Sequence, residues 1–353
     1  MSDGVASRVR FGPFTLGPSE PVLLIAEVGV NHNGMREVGL RQLEAAVSAG
    51  ARAVKFQSFK AEELATRSAP MADYQRKTEE TTQLEMLRRL ELRIEDFVAY
   101  RKEAIRLGVV AFSTPFDPQS ARELAKAGVE LMKLPSGELT NHELIASVGA
   151  TGLPTIMSTG MSTLDEVSAA VEVHRRAGGG PLALLHCVSS YPAPLEEQNL
   201  RAIPALRERF GVPVGLSDHT LGRDAAVAAV ALGADVVEKH FTVDRSLPGP
   251  DHAMSMEPED FAELIDVLRR VRLGLGDGVK APTASELEVR LVSRRSVVAA
   301  RDLRAGTVLS RDDVATKRPG GGLAPSRLAE VVGHRLKRDI AADDQIRIED
   351  VTG

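Results

Sequence analysis

Short apolar runs alternate with longer amphipathic segments between positions 22 and 273. The amphipathic segments carry apolar residues at helical spacing, as at Leu40, Leu43 and Val47, and this one ends at Gly50, a typical helix stop. The apolar runs have the length of buried strands. They are VLLIAEV (22–28), RAVKFQ (52–57), VVAFST (109–114), ELMKLPS (130–136), PTIMST (154–159), LALLHC (182–187), VPVGLS (212–217) and DVVEKHF (235–241).

Eight strands, each followed by a helix, predict an α/β fold of the (β/α)₈ TIM-barrel type. The repeats extend over roughly 250 residues, which is the usual size of this barrel. An open, doubly wound sheet is the alternative, and it usually carries a glycine-rich phosphate loop after its first strand. The first strand here is followed by VGVNHNG (28–34), which matches neither that loop nor a Walker sequence. The barrel is therefore favoured.

The pattern changes near residue 275. The stretch GDGVKAPTASE (276–286) is typical of a linker, and short strand-like pieces separated by turns follow it. We predict four parts along the chain: an N-terminal hairpin capping the barrel over 1–20, the barrel over 21–276, a linker over 277–290 and a small β-rich domain over 291–353.

Composition and charge narrow the classes of function. The chain is 43% apolar and 26% charged, as in soluble globular proteins. A net charge of -5 without a long Lys/Arg run argues against general binding to nucleic acid or to anionic membranes. No apolar stretch approaches the roughly 18 residues that a membrane span needs. With Cys187 as its one cysteine and no signal-peptide core near its start, we expect a cytoplasmic protein.

Polar residues near the strand ends recur on one face of each strand. Alternate residues of a barrel strand point inward, and active sites lie at the carboxyl ends of the strands. Charged groups there are costly unless they are paired or used. Their convergence from five strands predicts a functional site. The inward-facing polar residues by this parity are Glu27, Lys55, Gln57, Lys133, Ser217, His219, Glu238 and His240.

Two lysines among these residues indicate an anionic ligand. Lys55 and Lys133, with hydroxyl groups from Ser136, Ser158 and Ser189, suit a phosphate-bearing anion. A lysine could instead form a Schiff base with a carbonyl substrate. Two lysines favour the anion over a single reactive amine.

Two histidines at the ends of adjacent strands leave several chemistries open. His219 and His240 could bind a divalent metal, donate protons or belong to the core. Glu27 could act as a general base at the same mouth. Cys187 has no clear partner arrangement and is disfavoured as a thiol nucleophile. The charged segment 72–92 predicts a helical insertion, either a lid over the site or a solvated helix.

Nine motifs in order along nearly the whole chain resemble those of the sialic acid synthases, which condense phosphoenolpyruvate with a six-carbon amino sugar. The tail resembles the antifreeze-like domain of that family, also called the SAF domain. The motifs are IAEVGVNHNG (25–34), VKFQSFK (54–60), STPFD (113–117), KLPSGELTN (133–141), MSTGMST (157–163), LLHCVSSYPAP (184–194), GLSDHT (215–220), EKHFTVDRSLPGPDHAMS (238–255) and KRPGGG (317–322).

The resemblance implies a role for each matching residue. It makes Glu27 the catalytic glutamate, with His219 and His240 as catalytic ligands of a divalent metal: manganese, or else magnesium or cobalt. The implied phosphoenolpyruvate contacts are Lys55, Lys133, Ser136, Ser158 and Ser217, to which we add Ser189. The implied sugar contacts are Gln57, Glu138, Tyr191 and Asp251.

Arg318 carries the implied quaternary structure. It matches the arginine that the antifreeze-like domain of one subunit inserts into the other subunit's barrel, where it would contact both phosphoenolpyruvate and the sugar. The resemblance therefore implies a domain-swapped homodimer.

The implied reaction is that of a nonulosonic acid synthase, a carbon–carbon bond-forming transferase of the N-acetylneuraminate synthase type. An open-chain hexosamine of the N-acetylmannosamine type would be the acceptor, with water adding at C2 of phosphoenolpyruvate and phosphate leaving by C–O cleavage. Ser189 stands where such synthases are expected to have asparagine, and no phenylalanine lies near Val292–Arg295. These departures keep open a legionaminate or pseudaminate synthase acting on a 2,4-diacetamido-2,4,6-trideoxyhexose. Another phosphoenolpyruvate-condensing barrel and a non-catalytic carbohydrate-binding protein are more distant alternatives.

Overall fold

The computed structural model of this chain describes residues 8–71 and 82–352. The chain forms two compact units, Met1–Gly276 and Asp277–Gly353. The first part of the insertion predicted for residues 72–92 lies outside the described residues.

Eight parallel strands make up the sheet of the first unit. They are β3 (Leu23–Gly29), β4 (Ala53–Ser58), β5 (Val110–Pro115), β6 (Met132–Leu134), β7 (Thr155–Ser158), β8 (Leu182–Cys187), β9 (Val214–Asp218) and β10 (Val236–His240). Their spatial order is β5-β4-β3-β10-β9-β8-β7-β6. Strands β5 and β6 lie side by side, and no ladder joins them within the described residues. The sheet is thus a nearly closed barrel, which confirms the predicted fold class.

Helices follow the strands, and some of them begin at residues whose side chains cap the first turn. Asp117 accepts a hydrogen bond from the N–H of Ser120 ahead of a helix that starts with Pro118, and Thr163 forms a capping box with Glu166. None of the described helices is long and apolar enough to cross a membrane. The helices are α1 (Arg36–Ser48), α2 (Ala61–Leu64), α3 (Gln83–Leu90), α4 (Ile94–Arg106), α5 (Pro118–Lys126), α6 (His142–Gly149), α7 (Leu164–Arg176), α8 (Ala202–Phe210), α9 (Asp224–Ala231) and α10 (Pro258–Leu275).

The barrel strands bury both of their faces. Outward residues such as Val54 and Leu184 pack against the helices, whereas inward residues such as Phe112 and Ile156 fill the barrel interior. Each large apolar side chain buried in this way stabilises the fold by about 2 kcal/mol. The filled interior leaves space for a site only beyond the carboxyl ends of the strands.

An N-terminal hairpin of β1 (Val9–Phe11) and β2 (Phe14–Leu16) packs against the barrel interior. Phe11, Phe14 and Leu16 are buried in one cluster with Leu23 and Val236, the first residues of β3 and β10. The hairpin therefore covers the end of the barrel opposite the carboxyl ends of the strands.

The second unit has its own small core. Strands β11 (Ser296–Ala299) and β12 (Val314–Lys317) pair antiparallel, and Val297 of β11 is buried in one cluster with Leu309 and Ile346. This agrees with the predicted β-rich domain.

The linker region contains a helix that sequence reasoning did not predict. Helix α11 (Ala284–Ser293) occupies the second half of the predicted linker 277–290. Thr283 and Glu286 form a capping box at its start, so the signal was present in the letters TASE. The prediction followed the preceding glycine and proline residues and missed this helix start.

Candidate active site

A cavity of about 460 Å³ opens at the carboxyl ends of the barrel strands. All of the site residues that the sequence predicted within the barrel line it. They are Glu27, Lys55, Gln57, Lys133, Ser136, Glu138, Ser158, Ser189, Tyr191, Ser217, His219, His240 and Asp251. The structure therefore brings these side chains together, and their individual roles stay predictions.

The register of the sheet explains why they meet. Glu27 is paired with Lys55 on one neighbouring strand and with His240 on the other, and Ser217 is paired with Glu238. Paired residues of neighbouring parallel strands point to the same face of a sheet. Strand parity in the sequence thus becomes a set of polar groups on the inner face of the barrel, near the carboxyl ends of its strands.

Glu27 and Lys55 form a buried ion pair, with 2.7 Å between Nζ and Oε2. Lys55 also donates to Oγ1 of Thr114 at 2.8 Å, and Nε2 of Gln57 donates to Oε1 of Glu27 at 3.1 Å. Burial raises the pKa of Glu27 to about 7, although Lys55 acts in the opposite direction. A carboxyl group that titrates near neutral pH can both accept and release a proton there.

Glu238 lies between the two lysines. Its Oε1 is 3.6 Å from Nζ of Lys133 and 3.8 Å from Nζ of Lys55, and it accepts a hydrogen bond from Ser217 at 3.3 Å. Burial favours the neutral acid, but the two lysines outweigh it and hold the pKa of Glu238 below its usual value. Within the described residues, Oγ of Ser158 is buried without a hydrogen-bond partner, so it can serve a ligand.

Two glycines allow the backbone to approach these groups. Gly29 has a φ of 56°, and a Cβ there would lie 2.9 Å from Oε1 of Glu27. The N–H of Gly160 donates to Oγ of Ser136 at 2.9 Å. A Cβ on Gly160 would lie 2.8 Å from that oxygen and would also overlap Oγ of Ser189. Glycine is therefore required at both positions for the observed packing.

Sequence reasoning did not assign a role to Glu238 or Thr114, although both line the cavity. Glu238 has the same parity as His240, so its inward direction was visible without a function. Cys187 also lines the cavity, with Sγ 3.8 Å from Nδ1 of His219. This neighbour was not visible in the sequence, because the two residues lie on different strands.

The two predicted histidines lie side by side, with ring centroids 5.4 Å apart. Nδ1 of His219 is 2.9 Å from the carbonyl oxygen of Val188. Since a carbonyl only accepts, Nδ1 carries the proton in neutral His219, and Nε2 keeps a free lone pair. Nδ1 of His240 lies 3.7 Å from Oδ2 of Asp251. Burial holds the pKa of His240 well below its usual range, so this imidazole is neutral.

A divalent metal fits this pair of imidazoles. A histidine whose second nitrogen is held by a carbonyl, as in His219, is the arrangement common in metal sites. Across residues 8–71 and 82–352, no three His, Cys, Asp or Glu side chains are grouped to hold an ion. His219 and His240 would therefore be the protein ligands, leaving other positions for water or substrate.

The residues predicted to contact the sugar line the same cavity, and two of them, Tyr191 and Asp251, lie next to the histidines. The ring of Tyr191 packs against His219 with 4.3 Å between centroids. Nδ2 of Asn141 donates to Oε2 of Glu138 at 2.7 Å, which orients that carboxylate. Burial raises the pKa of Asp251 to about 6. Polar groups with fixed orientation suit the hydroxyl and amide groups of a sugar.

One side of the cavity is apolar, and the sequence did not predict it. Helix α3 supplies Met86, Leu87 and Leu90 to this side. Oγ1 of Thr82 caps the first turn of this helix by accepting a hydrogen bond from the N–H of Glu85 at 3.2 Å. The helical spacing of these residues was visible in the sequence, but the direction in which the apolar face of the helix points was not. We call this side the apolar wall, and it comprises Val30, Phe59, Leu64, Met86, Leu87, Leu90 and Phe116.

Arg318 belongs to the second compact unit. It is exposed and directly follows β12. Its predicted insertion into the barrel of another subunit stays a prediction.

Family comparisons cover both units. Residues 42–280 match the NeuB family, and residues 294–352 match the SAF domain. The chain is 44% identical over 332 residues to an N,N'-diacetyllegionaminic acid synthase of Legionella pneumophila, covering 92% of this chain and 93% of that protein. It is 39% identical over 329 residues to a protein of the same description from Campylobacter jejuni, covering 92% and 98%.

A solved structure supports the same relationship. The crystal structure of an N-acetylneuraminic acid (sialic acid) synthetase from Leptospira borgpetersenii, in complex with citrate, matches with a TM-score of 0.73. The identity is 35%, over 80% of this chain and 95% of that chain. The similarity therefore extends from sequence motifs to the arrangement of the barrel.

Proposed function

Because the chain belongs to the NeuB family of sialic, legionaminic and pseudaminic acid synthases, we propose that it condenses phosphoenolpyruvate with an open-chain 2,4-diacetamido-2,4,6-trideoxyhexose. The observation that carries this proposal is a single cavity with two buried lysines on one side and the apolar wall on another. The first feature suits phosphoenolpyruvate and the second suits a sugar rich in methyl groups.

Phosphoenolpyruvate would bind through the lysines and the hydroxyl groups. Lys55 and Lys133 provide positive charge inside a buried site, where each charged hydrogen bond is stronger than in water. Ser136, Ser158 and Ser217 provide neutral donors to phosphate or carboxylate oxygens. Because the same groups contact the anion before and after C–O cleavage, they would hold the phosphate charge throughout the reaction.

The bond changes follow from the two substrates. C3 of phosphoenolpyruvate attacks the aldehyde carbon of the open-chain sugar, whose oxygen becomes a hydroxyl group by taking up one proton. Water adds at C2 and releases one proton. The C–O bond from C2 to phosphate then breaks as the C2 hydroxyl group becomes the keto group, and its proton leaves with the phosphate. A divalent cation on His219 and His240, manganese or else magnesium or cobalt, would supply Lewis-acid polarisation of the aldehyde. Glu27 accepts the proton of the attacking water, which its pKa of about 7 permits near neutral pH. The remaining residues mainly orient the two reactants.

The apolar wall supports the choice of sugar. A 2,4-diacetamido-2,4,6-trideoxyhexose presents two acetyl methyl groups and a C6 methyl group, whereas N-acetylmannosamine has a hydroxyl at C6. Placing a hydroxyl group against an apolar surface without a partner costs free energy. The two relatives described as diacetyllegionaminic acid synthases support the same choice.

An N-acetylmannosamine acceptor is the second candidate. It is supported by the relative of known structure that is described as a sialic acid synthetase. The two sugars differ at C4, which carries an acetamido group or a hydroxyl group, and at C6, which carries hydrogen or a hydroxyl group. An apolar pocket rejects an added hydroxyl group by only about 10²-fold, so we expect both sugars to be turned over at different rates.

The deciding experiment is a substrate panel with phosphate release as readout. The purified protein, with Mn²⁺ and then with EDTA, is given phosphoenolpyruvate and one sugar at a time: N-acetylmannosamine, its 6-phosphate, or either diacetamido-trideoxyhexose epimer. We expect the highest kcat/KM with a diacetamido-trideoxyhexose and loss of turnover with EDTA. No phosphate release with any sugar would favour the carbohydrate-binding alternative.

Borohydride trapping distinguishes the proposed enzyme from an aldolase that forms a Schiff base with its substrate. Lys55 is engaged by Glu27 and Thr114, but burial lowers the pKa of Lys133, which is the direction such an enzyme requires. Borohydride in the presence of substrate should leave the protein mass unchanged. A reduced lysine adduct would contradict the proposed reaction.

We further propose that the active form is a domain-swapped homodimer in which Arg318 completes the partner's site. Helix α11 supports this, since Leu287, Val289, Leu291 and Val292 are each more than half exposed. Several exposed apolar side chains on one helix are typical of an interface.

A further inference from the structure

A second buried ion pair lies on the outward face of the strands that carry the two histidines. Asp218 and Lys239 are paired in the register of β9 and β10, and Nζ of Lys239 is 2.8 Å from Oδ2 of Asp218. Asp218 is 1% exposed and Lys239 is 3% exposed. Both have the opposite parity to the cavity residues, and neither lines the cavity within the described part of the chain.

The pair also fixes the turn that follows β9. Oδ1 of Asp218 accepts from the backbone N–H of Thr220 at 2.9 Å and from its hydroxyl at 2.8 Å. Nζ of Lys239 donates to the carbonyl oxygen of Thr220 at 2.6 Å. Residues 218 and 220 are thus tied both to each other and to β10, and His219 lies between them.

Each residue of this ion pair is followed directly in the chain by one of the two histidines. His219 follows Asp218, and His240 follows Lys239. A shift of one strand end along the other would separate the rings, which are now 5.4 Å apart. The ion pair opposes that shift because it links the two strands directly behind the histidines.

Stability alone does not explain a pair of this kind. A buried ion pair costs much of its Coulomb energy in desolvation, and apolar replacements of similar volume are often as stable. What such a pair gives in addition is a fixed geometry, since both partners are satisfied only in one register.

We propose that Asp218 and Lys239 are positioning residues that set the separation of His219 and His240, so that both can bind one divalent cation. The inference rests on the proposed function, because it assumes that the two histidines are metal ligands. It adds a residue pair outside the cavity to the determinants of metal affinity.

The chain offers a matched control at the other end of β10. Asp235 is also 1% exposed, and its Oδ2 is 2.8 Å from an Nη of Arg207. It directly precedes β10, whereas Lys239 is near the carboxyl end of that strand. Asp235→Asn therefore removes an equally buried charge next to the first residue of β10, at the opposite end of that strand from His240.

The test compares Asp218→Asn with Asp235→Asn by Mn²⁺ binding without substrate, using calorimetry and the electron paramagnetic resonance signal of free Mn²⁺. Circular dichroism measures folding and Tm for both variants. We expect both variants to lose stability, and only Asp218→Asn to raise the Kd for Mn²⁺, by about 10- to 100-fold. A folded Asp218→Asn protein with the wild-type Kd would overturn the proposal.

A double variant covers the case in which Asp218→Asn does not fold. Asp218→Leu with Lys239→Met keeps the site filled without charges, and we expect it to fold and to bind Mn²⁺ more weakly than wild type. If this double variant binds Mn²⁺ with the wild-type Kd, the positioning role is overturned. The role is also overturned if the wild-type protein binds none of Mn²⁺, Mg²⁺ and Co²⁺. If the variants lose Mn²⁺ while wild type binds it but turns over no sugar, the proposed function fails and the positioning role stands.

Discussion

At the scale of single residues, Glu27 shows how burial sets the chemistry of the cavity. In water a glutamate is ionised at neutral pH, but burial raises the pKa of Glu27 to about 7 despite the adjacent Lys55. The direction of the side chain was predictable from strand parity. The shift in its pKa was not, because it depends on how completely the surrounding strands exclude water.

Replacing Glu27 tests its role as a base. If the ionised carboxylate accepts a proton, kcat/KM of the wild-type protein should fall tenfold per pH unit below about pH 7. Glu27→Gln should lower kcat by roughly 10²- to 10⁴-fold and abolish this fall of kcat/KM at acidic pH. The pH profile of phosphate release is measured between pH 5 and 9, the range in which this carboxyl group changes charge. If kcat/KM of the variant still falls at acidic pH, a group other than Glu27 is responsible for that fall.

Gly160→Ala tests the close approach of backbone to hydroxyl groups. The new Cβ would crowd Oγ of Ser136 at 2.8 Å and displace Ser189, so we expect KM for phosphoenolpyruvate to rise about tenfold. Gly274→Ala in α10 is the control, since its Cβ would meet nothing within 4 Å. Both variants are measured by initial rates and by Tm. Equal KM values would mean that the hydroxyl groups near Gly160 do not contact phosphoenolpyruvate.

At the scale of elements, α3 determines one side of the cavity. Its apolar residues serve two purposes, because some pack in the small core beneath the helix while others also line the cavity. Leu84 and Leu87 illustrate the difference: both are nearly buried, at 6% and 9% exposure, and only Leu87 is among the lining residues described. Helical periodicity alone cannot separate the two roles.

Leu87→Ala and Leu84→Ala should therefore differ in specificity and not in stability. Each truncation should destabilise the barrel unit by about 2 to 5 kcal/mol, measured by denaturant unfolding. Only Leu87→Ala should lower kcat/KM for the diacetamido-trideoxyhexose relative to N-acetylmannosamine, by roughly tenfold. An equal change in both variants, or an unchanged ratio in Leu87→Ala, would remove the apolar wall from the determinants of sugar choice.

At the scale of the whole molecule, the predicted site residues are divided between the two compact units. The barrel gathers every predicted residue except Arg318, which belongs to the second unit. The exposed apolar residues of α11 support a subunit interface near the start of that unit. Two units with separate cores can exchange between subunits without unfolding either of them.

Mixing two inactive variants tests the domain swap. Arg318→Ala and Glu27→Ala should each lose most of their activity, and both should remain folded by circular dichroism. After subunit exchange, a swapped heterodimer contains one intact site and one with both changes. Random exchange should then restore about a quarter of wild-type activity. No recovery, with exchange verified by native mass spectrometry, would count against a swapped site.

The sequence by itself determined the periodic features of this protein. Short apolar runs of strand length identified the eight strands. The period of two along each strand then identified the inward direction of Lys55, Lys133, Ser217 and His219, because strand geometry fixes the face on which each side chain lies. Motifs at the strand ends then identified the family.

Only the tertiary structure decided which groups touch. Two examples are the hydrogen bond from His219 to Val188 and the ion pair of Asp218 with Lys239, which join residues far apart in sequence. A third is the direction in which the apolar face of α3 points. Local spacing carries no information about such contacts, since they depend on sheet register and on how each loop folds over the barrel. The sequence thus specified the chemical groups of the site, and long-range packing specified their geometry and their pKa values.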